Sequence, residues 1–325
     1  MVVAGNLTFF QSQAFGEFQE KIPYRGKSWM LRVLSFSRKR ESIDPPVKPE
    51  DDIKASCLVI RQKLPLGYSW LWVPYGPLGF HEEIFEGIAQ IAKKERAVFA
   101  RIEPPLHWDA KHNETIRKNW RIASAKKRYT PEHTLILDIE KGEGEILAQM
   151  KPKGRYNIGV AEKHGVCVEP WNGDKKSFDE FYEIMRKTGE RDEFGIHPKF
   201  FYAELLKTFG DDAILFLAKV PYSKVLAGII VVFYKGTATY YYGASDHKYR
   251  NLMAPYSLQW EAIREAKRRG MKHYDFLGIS PSHEKNHSWS GVTEFKKKFG
   301  GREVNYPPAF DIVFKPLLYK ILLLR

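Results

Sequence analysis

The sequence predicts two mixed α/β units in series. Its 325 residues exceed a typical single domain. Short apolar runs rich in β-branched and aromatic residues alternate with amphipathic helical stretches in both halves. The pattern also restarts after Pro131, with strands before and after helices on either side of that point. Hydrophobic residues make up 43% of the chain, enough to bury two cores, and the 28% of charged residues is ordinary for a soluble protein.

The elements follow in order. Residues 7–20 predict a short amphipathic helix with Phe10, Ala14, Phe15 and Phe18 on one face. SWMLRVLSF (28–36) and SCLVIRQK (56–63) read as strands, and the charged, proline-bearing stretch 38–54 between them reads as a loop. LWVPYGPLG (71–79) is a strand running into a Pro/Gly turn. A helix from His81 to Glu95 and the strand AVFARIEPP, stopped by Pro104 and Pro105, close the first half. The second half opens with the strand HTLILDI (133–139) and the helix EGEILAQM (143–150). The basic stretch KPKGRYNIGVAEKHG (151–165) reads as a connector leading to VCVEPW. Helices follow at 178–191 and at Pro198–Phe209. Three consecutive strands come next: AILFLAKV, LAGIIVVFY and TATYYYGAS. A helix at 255–269 stopped by Gly270 and the strand HYDFLGI (273–279) complete the pattern. Antiparallel strands, a central helix and a further strand suit an acetyltransferase-type fold.

Charge narrows the partners. There are 52 Lys and Arg against 39 Asp and Glu, a formal net charge of +13, which favours a polyanion: RNA, anionic lipid or a phosphorylated substrate. Cys57 and Cys167 have neither metal-ligand spacing nor the number for a disulfide framework, which fits a reducing compartment. No basic-then-apolar leader opens the sequence, and no stretch reaches the roughly 18 apolar residues of a membrane span. The expected location is cytoplasmic. The short apolar and basic tail FKPLLYKILLLR reads as a packed terminal helix or a contact with the inner membrane surface.

Six segments in a fixed order resemble the Fem-type (FemABX-like) aminoacyltransferases that build interpeptide bridges in peptidoglycan. They are TFFQSQAFGEF, VPYGPLG, HTLILDI, RYNIGVAEKHGVCV, the stretch from Tyr240 to Ile279, and GVTEFKKKFGG. The resemblance implies two tandem acetyltransferase-like (GNAT) domains, at 1–132 plus 306–325 and at 133–305, the first completed by the C-terminal segment. It implies aminoacyl-tRNA as co-substrate, no bound cofactor, and a soluble or lipid-linked peptidoglycan precursor as acceptor. About 25 residues separate Thr188 from Ala213, too few for the long helical arm of some members, so the compact, armless form is expected.

The chemistry this resemblance implies is attack of a neutral amine on an aminoacyl ester, which requires positive charge where the oxyanion or leaving oxygen develops. Lys296, in Phe295-Lys296-Lys297-Lys298-Phe299, matches the family's Phe-Lys-x-x-Phe lysine. Lys297 and Lys298 are the candidates for holding tRNA phosphates. Tyr240 and Tyr242 match tyrosines of the acceptor cleft and, two apart in a strand, are expected on one face with Tyr241 on the other. Glu103 matches an acidic residue of the first domain, expected to take a proton or orient the acceptor. Three positions depart from the known armless pattern: Gln19 stands for a lysine, His197 for an arginine and Phe201 for a tyrosine. The lysine and arginine hold a nucleotide-linked precursor in that type, so their replacement points to a lipid-linked acceptor; Arg191 and Lys199 are possible compensating cations.

Two other chemistries are weighed. Acyl-CoA enzymes of this fold hold pyrophosphate on the backbone N–H groups of a glycine-rich turn, whereas residues 250–255 contain no glycine and end in Pro255. A non-catalytic nucleic-acid-binding protein suits the charge, yet no helix shows a basic stripe with interleaved aromatics. His283-Glu284-Lys285-Asn286-His287 spells a zinc-protease pattern, but its polar, turn-forming flanks predict a loop with no metal.

Overall fold

The structure, a computed structural model, describes residues 8–23, 25–34, 53–192, 195–221, 223–284 and 287–324. It forms two compact units. One contains the residues up to Glu132 and those from Tyr306 onward, and the other is His133–Asn305.

The first unit starts with α1 (Gln13–Glu20), which is preceded by a separate 3-10 turn, Phe9–Gln11. The expected helix over 7–20 is broken there because the Ser12 hydroxyl caps α1, accepting from Phe15 N at 3.1 Å. The sheet comprises β1 (Arg25–Leu34), β2 (Ile53–Lys63), β3 (Ser69–Val73), β4 (Ala97–Ile102), β5 (Ile122–Ser124) and β13 (Phe310–Val313). Of the predicted 38–54 loop, residues 38–52 lie outside the described residues, and Ile53 and Lys54 open β2. The strand order is β1-β2-β3-β4-β13-β5, antiparallel except for β3 and β4. Those two parallel strands are joined by α2 (Glu82–Lys94), which packs Ile84, Phe85, Ile88 and Ile91 against Val59, Leu71, Val73 and Ala100. The short helix α3 (Ala110–Asn119), capped by Asp109, escaped the sequence reading because only Ile116 of it is buried.

The C-terminal segment supplies β13 and α10 (Pro316–Leu323) to this first sheet. Arg101 of β4 lies opposite Asp311 of β13 and donates to both carboxylate oxygens, at 2.9 and 2.8 Å. Tyr319 of α10 donates to the same carboxylate at 2.7 Å. All three are buried, so the pair is held by bidentate geometry with its acceptor capacity used.

The second unit's sheet comprises β6 (His133–Asp138), β7 (Cys167–Pro170), β8 (Ala213–Lys219), β9 (Ala227–Tyr234), β10 (Thr237–Ser245), β11 (His273–Gly278) and β12 (Arg302–Asn305). Its order is β12-β6-β11-β10-β9-β8-β7, and only β10 and β11 are parallel. They are joined by α8 (Ala254–Arg268), which buries Leu258, Ala262, Ile263 and Ala266 in the core beneath them. On the other side of β9 and β10 lie α6 (Lys175–Arg191) and α7 (Lys199–Phe209). The two sheets thus share a motif: a parallel pair bridged by a helix, flanked by a strand (β13 in one, β6 in the other) from a distant part of the chain.

After β6 come α4 (Glu143–Gln149) and α5 (Pro152–Lys163). The expected connector 151–165 is therefore a helix. Pro152 starts it, and its buried stripe is Gly154, Asn157, Ile158 and Ala161, a spacing of i, i+3, i+4, i+7. Only two of those four are clearly apolar, which hid the period among the charges. Gly154 is required there, since a Cβ would overlap the Lys298 carbonyl. After β11 come α9 (Ser290–Lys296) and a 3-10 turn over Lys297–Phe299, which lead into β12. No helix among the described residues is long and apolar enough to cross a membrane.

Candidate active site

The parallel strands β10 and β11 pair only over Thr237–Thr239 and His273–Asp275 and then part, although both continue toward their C-terminal ends. Side chains converge where they diverge. This is the position at which an open α/β sheet leaves a crevice for ligands.

Lys296 enters the divergence from α9. Thr293, one turn earlier, anchors that helix: its Oγ1 accepts from Ser280 N at 2.8 Å and lies 3.0 Å from Ser280 Oγ. Phe295 and Phe299, four apart, pack on Tyr256 at 5.0 and 5.7 Å between ring centroids. These contacts turn the intervening Lys296 side chain inward. It is 6% exposed, and Nζ donates to the Gly278 carbonyl at 2.6 Å and sits 5.4 Å from the centroid of the Tyr240 ring. Burial pushes its amine down to about 8, an effect opposed by the charge of Asp275.

Asp275 is the site residue that sequence reasoning missed. It is 8% exposed, at the point where β11 stops pairing with β10. Burial pushes its carboxyl up to about 6; a hydrogen bond from Leu277 N, at 2.7 Å, and the Lys296 ammonium oppose that rise. Leu277 has φ 58, a left-handed conformation that costs a leucine about 1–2 kcal/mol, and the register with β6 shifts between Asp275 and Gly278. The strain lies beside the carbonyl that receives Lys296, as backbone strain at functional sites does. The available signal was a lone carboxylate between the aromatic residues Tyr274 and Phe276 of HYDFLG.

Tyr240 faces Lys296. Its phenol is pushed up to about 12 by burial and so stays a proton donor. Gly243 makes room for it, since a Cβ at that position would overlap the Tyr240 hydroxyl. Tyr240 also lines a cavity of about 270 Å³ bounded by Gly243, Gln259, Phe295, Val292 and Arg191.

Tyr242 points elsewhere. Tyr240 pairs with Val231 and Tyr242 with the adjacent Ile230, so Tyr241 is an extra residue. This β-bulge cancels the two-residue alternation and sends Tyr240 and Tyr242 to opposite faces, against the expectation of a shared face. Tyr240 packs with the α8 core, which includes Val231. Tyr242 meets His197, Phe201 and Tyr202 edge-on, at 5.9, 5.9 and 5.2 Å. His197 stacks on Phe201 at 3.7 Å. Three expected acceptor residues are therefore gathered in one aromatic cluster on the α7 side.

The remaining expected residues are placed as follows. Lys297 pairs with Glu303 at 2.7 Å, and Lys298 Nζ donates to the Tyr256 hydroxyl at 3.2 Å, so both lysines are engaged within the chain. In the first unit, Glu103 is fully buried and accepts from Tyr129 N at 2.5 Å and from Thr130 N and Oγ1 at 3.1 and 2.8 Å. Gln19, on α1, is fully buried, and its amide has no hydrogen-bond partner among the described residues. Of the two cations named as compensating, Arg191 pairs with Asp192 and Lys199 with Asp179. His283 and Glu284 are exposed in the turn after β11, and residues 285–286 of that motif lie outside the described residues.

Two acetyltransferase-like sheets, one with a buried lysine and a buried carboxylate where its parallel strands part, form the frame of an acyltransferase. Comparison with known proteins agrees. The FemAB family model matches residues 46–229 and 222–324. A curated "Lipid II:glycine glycyltransferase" of Staphylococcus haemolyticus is 23% identical over 315 residues, 74% of either chain. The crystal structure of FemX superposes with a TM-score of 0.79 at 19% identity, covering 97% of this chain and 94% of that one. A tandem GNAT protein from the clavulanic acid biosynthesis pathway superposes at 0.52 with 10% identity, covering 81% and 79%. The chain belongs to the FemAB family, and it is an aminoacyltransferase.

Proposed function

We propose that this protein transfers an amino acid from aminoacyl-tRNA to the stem-peptide amine of a lipid-linked peptidoglycan precursor, forming an interpeptide bridge. The observation that carries the reading is the buried Lys296 ammonium, set between the Gly278 carbonyl and the Tyr240 ring beside Asp275. In the reaction, the acceptor nitrogen, as the neutral amine, bonds to the aminoacyl carbonyl carbon. The ester C–O bond breaks, the nitrogen gives up one proton as the amide forms, and the ribose oxygen leaves and takes up one, so that no net proton is consumed. A cation in a water-poor site stabilises the charge developing on that oxygen far better than one in water. An amine with its pKa near 8 is also acidic enough to give the oxygen its proton and basic enough to recover one. The charge of Asp275 favours the Lys296 ammonium and so opposes the effect of burial.

Donor and acceptor draw on different observations. The acceptor reading rests on the staphylococcal relative, whose name specifies lipid II, and on the aromatic cluster of Tyr242, His197 and Phe201, which carries none of the cations a nucleotide-linked precursor requires. For the donor, the first turn of α5 packs on Lys298 and exposes Lys151, Lys153 and Tyr156, with Lys153 Nζ 5.1 Å from the Tyr156 ring centroid. Exposed cations beside an exposed ring suit the phosphates and bases of a single-stranded RNA end. They serve that purpose better than the already engaged Lys297 and Lys298. Glu103, with both oxygens committed to residues 129–130, is assigned the holding of that turn in place of proton transfer.

The test supplies charged tRNA with lipid-linked or soluble precursor, and acetyl-CoA as a parallel donor. Transfer from tRNA to the lipid-linked acceptor, reduced about 100- to 1,000-fold in Lys296→Met, is expected. Acylation from acetyl-CoA alone, or unchanged transfer by Lys296→Met, would remove the reading.

A further inference from the structure

The first unit presents an apolar surface that its own core leaves uncovered. α10 is apolar on nearly every side. Leu318, Tyr319, Leu322 and Leu323 turn inward onto Val98, Phe99 and Val313. Leu317 and Ile321, at i and i+4, form a second stripe that is 79% and 54% exposed, with Leu324 continuing it at i+7. A helix apolar all round belongs in a core, yet half of this one faces outward.

A second observation comes from a different part of the chain. The turn Pro65–Gly67 holds Leu66 at φ 59 with its side chain 87% exposed. A leucine in left-handed backbone is strained, and a glycine or asparagine would relieve that. Here strain holds an apolar side chain out in water, where the fold gains nothing from it. The residues on either side, Leu64 and Tyr68, pack against the same small core as the inner stripe of α10. The turn and the helix therefore border one region of the surface.

The charges around it have one sign. Arg96 lies over the Tyr68 ring at 4.7 Å, and Lys63 is exposed beside the turn. Lys126, which bonds the Leu323 carbonyl, and the exposed Lys127 and Lys320 flank α10. In residues 63–68, 93–96, 121–129 and 314–324 the single carboxylate is Glu95, and Arg61 already pairs with it at 3.0 Å.

We infer that Leu66, Leu317 and Ile321 insert into the surface of an anionic lipid bilayer, with the surrounding lysines and arginine at the headgroups. An eight-residue helix spans only about 12 Å, far less than the roughly 30 Å of a hydrocarbon core, so α10 lies in the interface and does not cross it. For its purpose this rests on the proposed lipid-linked acceptor, because docking there would bring the enzyme to a substrate confined to two dimensions. Its evidence is separate.

The experiment is co-sedimentation of the full chain with vesicles of equal parts phosphatidylglycerol and phosphatidylcholine, and with vesicles of phosphatidylcholine alone. The wild type is expected to bind the mixed vesicles and to bind the zwitterionic ones at least about tenfold more weakly, with added salt closing the gap. Leu66→Gly relieves the strained backbone, so it is expected to raise the Tm while weakening vesicle binding about tenfold. Leu317→Ser is expected to weaken binding similarly without lowering the Tm. Transfer to a lipid-linked precursor dispersed in neutral detergent, where no bilayer is present, should be unchanged in both variants. Equal binding to both vesicle types, wild-type vesicle binding by both variants, or a concentration-dependent dimer that Leu317→Ser dissociates would overturn the inference. If vesicle binding is as expected and neither acceptor is aminoacylated, the proposed function fails and the membrane surface stands.

Discussion

Replacing Lys296 with methionine should make this protein more stable at neutral pH as well as inactive. The amine is nearly enclosed, and burial lowers its pKa from the ordinary 10.5 to about 8. At about 1.36 kcal/mol per pKa unit, holding the ammonium in the fold below pH 8 costs about 3 kcal/mol. Methionine fills much of the same space without that cost. It forfeits the hydrogen bond to the Gly278 carbonyl, worth about 1 kcal/mol, and leaves Asp275 without its cation. Asp275 already has a raised pKa and can take up a proton, so little of the loss of its partner remains. The expected net gain at pH 7 is about 1–2 kcal/mol, because an Asp275 that takes up a proton avoids the penalty of a buried charge left unpaired. The sign with pH is the sharper test. A lysine with a depressed folded pKa binds fewer protons folded than unfolded between about 8 and 10.5, so the wild type gains stability as pH rises through that window. The methionine variant lacks that gain, and its advantage should shrink toward pH 10.5. Urea denaturation of both proteins at pH 7 and pH 10 measures this. A variant less stable than wild type at pH 7, or an advantage that grows with pH, would refute the account of Lys296 as a buried cation kept for chemistry.

Other outcomes follow from the same geometry. Asp275→Asn preserves the shape but removes the charge that favours the Lys296 ammonium, so the alkaline limb of a kcat–pH profile should move to lower pH; an unmoved limb would detach Asp275 from the lysine. Gly243→Ala puts a methyl group into the Tyr240 hydroxyl and should cost about 1–3 kcal/mol of stability and reduce transfer, read by thermal denaturation and single-turnover rates. Glu103→Gln weakens the hold on residues 129–130 and should cost about 1–3 kcal/mol while kcat per folded molecule is kept; a loss of kcat at full stability would restore a role in proton transfer.

Much of the fold is legible in the sequence because most elements carry a clean period. The helix at 255–269 and the strands from Ala213 to Ser245 show apolar positions in the right repeat with turn residues between them, and they were read within a residue or two. Where buried positions are small or polar the period vanishes. Helix α5 buries Gly154 and Asn157 against its neighbours, so it resembles a basic connector. Helix α3 buries one residue and has no period to show. Of the site, Lys296 and Tyr240 were found through the family resemblance of their segments. Asp275 was passed over because a single carboxylate in a strand has no local signature; its meaning depends on a lysine 21 positions later.

What the sequence determined by itself is local chemistry: which segments form strands and helices, the surplus of positive charge, and the order of motifs shared with FemAB proteins. What only the tertiary structure decided is where those groups point and how they ionise. The Tyr241 bulge sends Tyr240 to the lysine and Tyr242 to the aromatic cluster, a choice made by pairing with β9 and invisible to a two-residue alternation. Of three adjacent lysines, one becomes a buried amine poised near 8 while its neighbours become partners of Glu303 and Tyr256. The difference is desolvation and distance. Both are properties of residues brought together from far apart in the chain, and the order of residues alone does not carry them.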